Sequence, residues 1–264
     1  MSESSPSITQ LKDHWKHLVE RSTSGKSPVI FAHRGASGIA PGNTLIAFKL
    51  AMDQGINAIE GDVKLSLDSK LLFFHTSMLK FLTEIPMPVW VLPWRFIASR
   101  NMGMGQKVPL VRDVFAFFKK EGLLDSMIWS LDIRGTPGIK KLATICKKFG
   151  NEDSILVCNK RPRRLTRCKR ILPHAIPVWS VTKRVVRRLK IPGIIKICQK
   201  RGIPAVNFKQ DDISPEMAAS FKQERLLLFM WNVHDGERLK RAMECKPDAI
   251  YSKYPEMVVS GTSP

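Results

Sequence analysis

No stretch of these 264 residues is both apolar and long enough to span a bilayer, and the opening segment MSESSPSITQLKDHWKHLVERSTSGKSP lacks the apolar run of a secretory signal. These absences point to a soluble chain or one peripheral to a membrane, with the cytoplasm as the expected location. Cysteine is scarce. The five cysteines, at positions 146, 158, 168, 198 and 245, form no Cys-x-x-Cys pair and no dense framework, which reads as buried thiols in a reducing compartment. Acidic residues are also few: 23 Asp and Glu stand against 43 Lys and Arg, and the net charge of +20 favours anionic partners such as phospholipid surfaces or phosphorylated metabolites. The basic segments carry no interleaved aromatics and no nucleic-acid-binding module, so nucleic acid is the least favoured of these partners.

What the chain does contain is globular: 44% hydrophobic and 25% charged residues, at a length ordinary for a single α/β barrel. Residues 8 to 21 place Leu11, Trp15 and Leu18 on one helical stripe, and a polar run from 22 to 27 follows; this helix reads as an appendage to the core. From Val29 onward, short apolar runs alternate with helix-like segments. The strand candidates are VIFA, AIEGDV, LLFFH, MIWSLDI, SILVC, IPVWSV, IPAVNF, LLLFMWNV and DAIYS. Their alternation with helices predicts an α/β fold, a TIM-type (β/α)8 barrel. These nine candidates are one too many for such a barrel, and the link LSLDSK between AIEGDV and LLFFH is too short for a helical crossover, which marks one of that pair as a hairpin extra. The expected limits are an extension over 1–27, a barrel over 28–258 and a tail over 259–264. An insertion at 76–107, after the second strand pair, is rich in Pro, Met and Trp. It reads either as a lid or membrane-interface loop, to which Trp90 and Trp94 are suited, or as a loop packed on the barrel rim.

The chemistry-bearing residues gather at strand ends. VIFA runs into His33-Arg34-Gly35, which sets an imidazole able to exchange a proton near neutral pH beside a guanidinium fork that fits phosphate oxygens. In AIEGDV, Glu60 and Asp62 stand two apart and share one strand face. Two acids side by side in an otherwise apolar strand repel each other unless one is protonated or a cation lies between them, and a divalent metal is the economical explanation. LLFFH ends in His75, and MIWSLDIRG sets Asp132 and Arg134 on one face of a further strand. Singly, each has an ordinary structural reading, as a rim histidine or an exposed acid. Their recurrence at successive strand ends favours a shared site.

AHRGASGIAPGNTLIAF, followed by AIEGDV and LLFFH, resembles the opening of the glycerophosphodiester phosphodiesterases, whose usual marks are HRG, PENT, ExD and HD. The likeness runs on through VPLVRDVF, SLDIRG, GIPAVNF, LFMWNVHDGE and DAIYSKYPE, from Pro28 to Glu256. The resemblance implies one divalent cation on Glu60, Asp62 and Asp132, with Mg²⁺ or Ca²⁺ suited to all-oxygen donors. It implies His33 and His75 as general acid and base, in either order, Arg34 and Arg134 on the phosphate, and Trp231, beside Asn232, as a pocket wall. Four positions depart from the family pattern: Gly42 replaces the glutamate of PENT, Thr76 the aspartate after the second histidine, Asp132 a glutamate, and Lys253 a late aspartate. Thinner support for the ligands and histidines is the expected consequence, and with it reduced activity or a shifted substrate.

Residues 160 to 170 carry seven positive charges and residues 183 to 190 five more. Most read as solvated helix faces; Lys160 and Arg161, nearest a strand end, are the candidates to reach a substrate. The functional expectation is a metal-dependent hydrolase of glycerophosphodiesters or, given the apolar insertion and basic surface, of lysophospholipids at an anionic membrane, a lysophospholipase D. The alternative is a catalytically impaired family member that binds anionic lipid or another polyanion.

Overall fold

The computed structural model describes residues 6–22, 28–75, 78–80 and 86–262. In chain order its strands are β1 (Val29–His33), β2 (Ala58–Leu65), β3 (Leu71–Phe73), β4 (Met78–Lys80), β5 (Pro86–Pro88), β6 (Asn101–Gly103), β7 (Gln106–Lys107), β8 (Ile128–Ile133), β9 (Ile155–Asn159), β10 (Ile176–Ser180), β11 (Ala205–Lys209), β12 (Leu227–Trp231) and β13 (Ala249–Ser252). The helices are α1 (Ile8–Arg21), α2 (Leu45–Asp53), α3 (Trp94–Ala98), α4 (Val111–Lys120), α5 (Thr136–Phe149), α6 (Pro162–Ile171), α7 (Lys183–Arg201), α8 (Pro215–Gln223), α9 (Gly236–Glu244) and α10 (Pro255–Thr262).

Each of the nine sequence candidates forms a strand. β1, β2 and β8 to β13 pair in parallel, each with its neighbour in that order, and β13 returns to β1, so the sheet closes as an eight-stranded TIM-type barrel with helices between successive strands. β3 lies antiparallel on β2, the hairpin extra that its short link requires. Local signals set the helix ends: Ser214 and Asp235 cap α8 and α9 by accepting from the backbone N–H groups of Met217 and Arg238, and Gly150 ends α5 in the left-handed conformation. α7 is two helical pieces joined at Lys190, whose φ of 53° breaks the basic run from the segment that Pro192 opens. All five cysteines are buried and none is in a disulfide.

The N-terminal helix is more than an appendage. A capping box between Ser7 and Gln10 starts it, and Trp15 and Leu18 are buried among Val29, Ala58, Ile128, Ala205 and Leu227, residues near the beginnings of the barrel strands. The Trp15 ring lies 4.9 Å from that of Phe229, and Asn57 ties the helix end to the barrel by donating to the carbonyls of Arg21 and Ser126 at 2.7 and 2.8 Å. A closed ring of strands leaves an apolar layer open at its N-terminal end, and α1 is the cover.

The described part of the insertion holds two short hairpins, β4–β5 and β6–β7, and the helix α3. Val89, Leu92 and Ile97 bury themselves with Leu72, Phe74, Val108 and Leu110 in a small separate core on the barrel rim, against which Trp94 packs, whereas Trp90 is 56% exposed. Thr76 lies outside the described residues. Among the described residues no helix is long and apolar enough to cross a membrane.

Removing the plug at the barrel's lower end tests this account. Trp15→Ala is expected to lower the unfolding free energy in urea by about 3–5 kcal/mol, the usual cost of emptying a buried aromatic site; a change below about 1 kcal/mol would return α1 to the role of a loose extension.

Candidate active site

The C-terminal strand ends surround a cavity of about 420 Å³. Nine of the residues singled out from the sequence line it: His33 and Arg34 from the end of β1, Glu60 and Asp62 from β2, His75 beyond β3, Asp132 and Arg134 from the end of β8, Lys160 after β9, and Trp231 at the end of β12. Register explains the convergence. His33 pairs with Glu60 across β1 and β2, and Asp62 with Asp132 across β2 and β8, and paired residues of parallel strands project to the same face. Arg161, the other basic candidate, lines a neighbouring groove instead.

Backbone geometry accounts for the glycines of the two motifs. Gly35 has a φ of 77°, and a Cβ there would stand 2.5 Å from the backbone carbonyl of Ala47, so the turn after His33 admits no side chain. A Cβ on Gly61 would come within 2.6 Å of the Phe73 ring, because β3 lays that ring over the β2 backbone. Between them these turns fix Arg34, whose backbone N–H donates to Glu60 Oε2 at 3.0 Å and whose Nε lies 2.9 Å from Asp62 Oδ2. Asp62 is held from a second side. Its Oδ2 accepts from Asn43 Nδ2 at 3.0 Å, and its backbone N–H donates to Asn43 Oδ1, also at 3.0 Å.

Burial and charge then set the protonation states. Burial, followed by the neighbouring Asp62, pushes the Glu60 carboxyl well above the usual carboxylate range, and the same two causes raise Asp132. His33, with Nε2 3.7 Å from Glu60 Oε2, is held well below the usual imidazole value by burial first, then by Arg34, His234 and Lys253. His75 is lowered by burial, against an opposing pull from Asp62. Among the described residues, no group of three or more His, Cys, Asp or Glu side chains closes into metal-binding geometry. Arg34, which the family resemblance assigns to phosphate, here neutralises Asp62 and with Asn43 holds it in place. The donor set nonetheless fits a hard divalent cation: three carboxylates on adjoining strands, two of them penalised in their charged form, with His33 Nδ1 and Asn207 Oδ1 buried and lacking a hydrogen-bond partner among the described residues.

Several lining residues went unread in the sequence. Asn207 and Lys209 follow the same strand-end rule as Asp132 and Arg134, standing two apart at the close of AVNFK, and that rule would have found them. Tyr251 floors the cavity, its hydroxyl 2.9 Å from Ser130 Oγ, and Asn43, wholly buried, was quoted only as part of PGNT. At Gly42 a Cβ would stand 3.0 Å from the Cβ atoms of both Arg34 and Ser37, so the loop lies close over Arg34 where the family has a carboxylate side chain. The backbone N–H of Lys253 donates to His234 Nδ1 at 3.2 Å, and the His234 ring lies near-parallel to that of His33, 6.0 Å away.

Comparison with known proteins agrees with this fold. The model of the glycerophosphoryl diester phosphodiesterase family matches residues 33–257. An uncharacterized protein of Bacillus subtilis is 27% identical over 242 residues, covering 86% of this chain and 95% of its own. A glycerophosphodiester phosphodiesterase of Caldanaerobacter subterraneus is 24% identical over 250 residues, 88% of this chain and 96% of its own. Among solved structures, an Oleispira antarctica phosphodiesterase in complex with the product sn-glycerol-3-phosphate superposes with a TM-score of 0.74 at 20% identity, over 89% of this chain and 96% of its own. The chain belongs to the glycerophosphodiester phosphodiesterase family, enzymes that hydrolyse phosphoric diesters.

The raised carboxyl of Glu60 yields a stability test. Its charged form is disfavoured in the fold, so the stability it contributes is present below the unfolded value near 4.5 and is lost as pH rises through the folded value. In chelator at pH 7, Glu60→Gln is therefore expected to raise the thermal midpoint, at roughly 2–4 °C per kcal/mol for a chain of this size, and the gain is expected to vanish near pH 4.5. A variant that melts below the wild type at pH 7 would show that Glu60 is already neutralised in the fold.

Proposed function

We propose that the barrel mouth hydrolyses glycerophosphodiesters, lysophospholipids included, with one divalent cation, Mg²⁺ or Ca²⁺, held by Glu60, Asp62 and Asp132. The observation that supports this reading most is the meeting of four carboxylates, Asp212 among them, two histidines and four cationic side chains, including Lys209, in one cavity. The family relationship and the glycerol phosphate in the Oleispira antarctica relative point the same way.

A bound cation would neutralise phosphate oxygens and so favour attack at phosphorus. Around it, Arg134 and Lys160 meet the remaining phosphate charge from the β8 and β9 side, and Arg34 positions Asp62 while facing the same space. One imidazole of the His33 and His75 pair takes the proton of the attacking hydroxyl as its oxygen bonds to phosphorus. The other protonates the leaving alcohol oxygen as its bond to phosphorus breaks. Burial keeps His33 neutral at pH 7, the form able to accept a proton. Trp231 walls the opposite side. The cationic helix starts of α6 and α7, which follow strands ending at this mouth, suit contact with an anionic membrane or headgroup.

The decisive assay is release of the free headgroup from glycerophosphocholine and from lysophosphatidylcholine with Mg²⁺, Ca²⁺ or chelator. Turnover is expected only with a cation, and His33→Ala and His75→Ala are each expected to reduce kcat by about 10²–10⁴-fold. Lys160→Ala is expected to raise KM roughly tenfold, the loss of one charge-assisted hydrogen bond. No turnover by folded wild type with either ion would favour a catalytically impaired lipid or polyanion binder.

A further inference from the structure

A second cavity, of about 450 Å³, lies beside the mouth, and the chemistry of the mouth does not use it. One wall is apolar, formed by Val63 and Leu65 from β2, Ile133 from β8, Pro137 from α5, and Val89 and Trp90 from the insertion, while Lys64 and three arginines supply its cationic part. The volume is that of a ligand pocket. Arg134 lines both cavities, so the groove adjoins the mouth at this arginine. The Arg164 guanidinium donates to the carbonyl of Arg134 and braces the residue shared between the two spaces. Arg161 and Arg164 also stand among the groove's lining residues.

An apolar trough that begins at a phosphate-facing arginine and is edged by further cations matches one ligand chemistry, a phosphodiester carrying a hydrocarbon chain. Along the apolar wall a wholly polar substrate would find no hydrogen-bonding side chain other than the Trp90 indole, the rest being confined to the cationic part of the groove. Trp90, 56% exposed, offers an indole face that a chain lying in the groove would cover. We propose that this groove binds the single hydrocarbon chain of the substrate, so that the site prefers amphiphilic phosphodiesters with one chain; the proposal rests on the mouth being the phosphodiester site.

The groove is tested by calorimetric binding of butyl-, hexyl- and octylphosphocholine to the full chain, below their micelle-forming concentrations. Affinity is expected to rise about fourfold per added methylene, the value of burying one such group. Two variants locate the effect. The backbone at Gly135, which lines the groove, has a φ of −125°, and a Cβ there would meet nothing closer than Pro137 Cδ at 3.6 Å, so Gly135→Leu is the substitution chosen to narrow the groove. Trp90→Ser removes its exposed wall. Both are expected to flatten the chain-length series, and either one suffices should the other fail to fold. A flat series in the wild type, or an undiminished slope in the folded variants, would overturn the proposal. Hydrolysis of glycerophosphocholine and of lysophosphatidylcholine by the same samples reports separately on the mouth: activity on either with a flat series sinks the groove alone, whereas a steep series with no activity on either upholds hydrocarbon binding in the groove and sinks the phosphodiesterase reading.

Discussion

Parallel pairing of β1 with β2 closes the barrel, and the same pairing sets His33 beside Glu60. Without that closure the strands would form an open sheet, and the side chains at their ends would fan apart rather than face one another. Everything in the mouth depends on it. Asp62 and Asp132 come together through the neighbouring register of β2 and β8, and Arg34 reaches both Glu60 and Asp62 because the β1 turn brings it back over β2.

Closure also removes water, and this gives the site its electrostatic character. Carboxylates that would ionise readily in solvent are crowded in a partly dry space, so Glu60 and Asp132 resist ionisation and Asp62 is tied to Arg34 and Asn43. Such a cluster is poised for cationic or phosphate ligands because its own groups leave charge and hydrogen bonding unsatisfied. The arginine that family resemblance gives to phosphate thus has a second task, as the counter-charge that holds Asp62.

The two ends of the barrel are treated differently. At the lower end α1 places Trp15 and Leu18 into the apolar layer and completes the core. At the upper end the described part of the insertion keeps a small core of its own, around Val89, Leu92 and Ile97, and contributes Val89 and Trp90 to the groove beside the mouth. The basic runs at 160–170 and 183–190 begin where β9 and β10 end, so their first residues stand near the opening and the others lie along α6 and α7.

The alternation of apolar runs and helices was enough to read the barrel, because each strand is short, apolar and bounded by turn residues, and the brevity of LSLDSK was enough to mark β3 as a hairpin. The strand-end rule likewise reached Glu60, Asp62, Asp132 and Arg134, since a period of two is a local property of extended chain. It was not enough for Asn43, whose bond to Asp62 links residues on separate elements, or for α1, whose amphipathic stripe shows that it must be buried without showing against what. Composition, periodicity and motif therefore determined the fold class and the residue types of the site. Tertiary structure alone decided that Trp15 fills the barrel floor, that Arg34 pairs with Asp62, and that Arg134 faces two cavities, because contacts between distant segments depend on closure and register that no local stretch encodes.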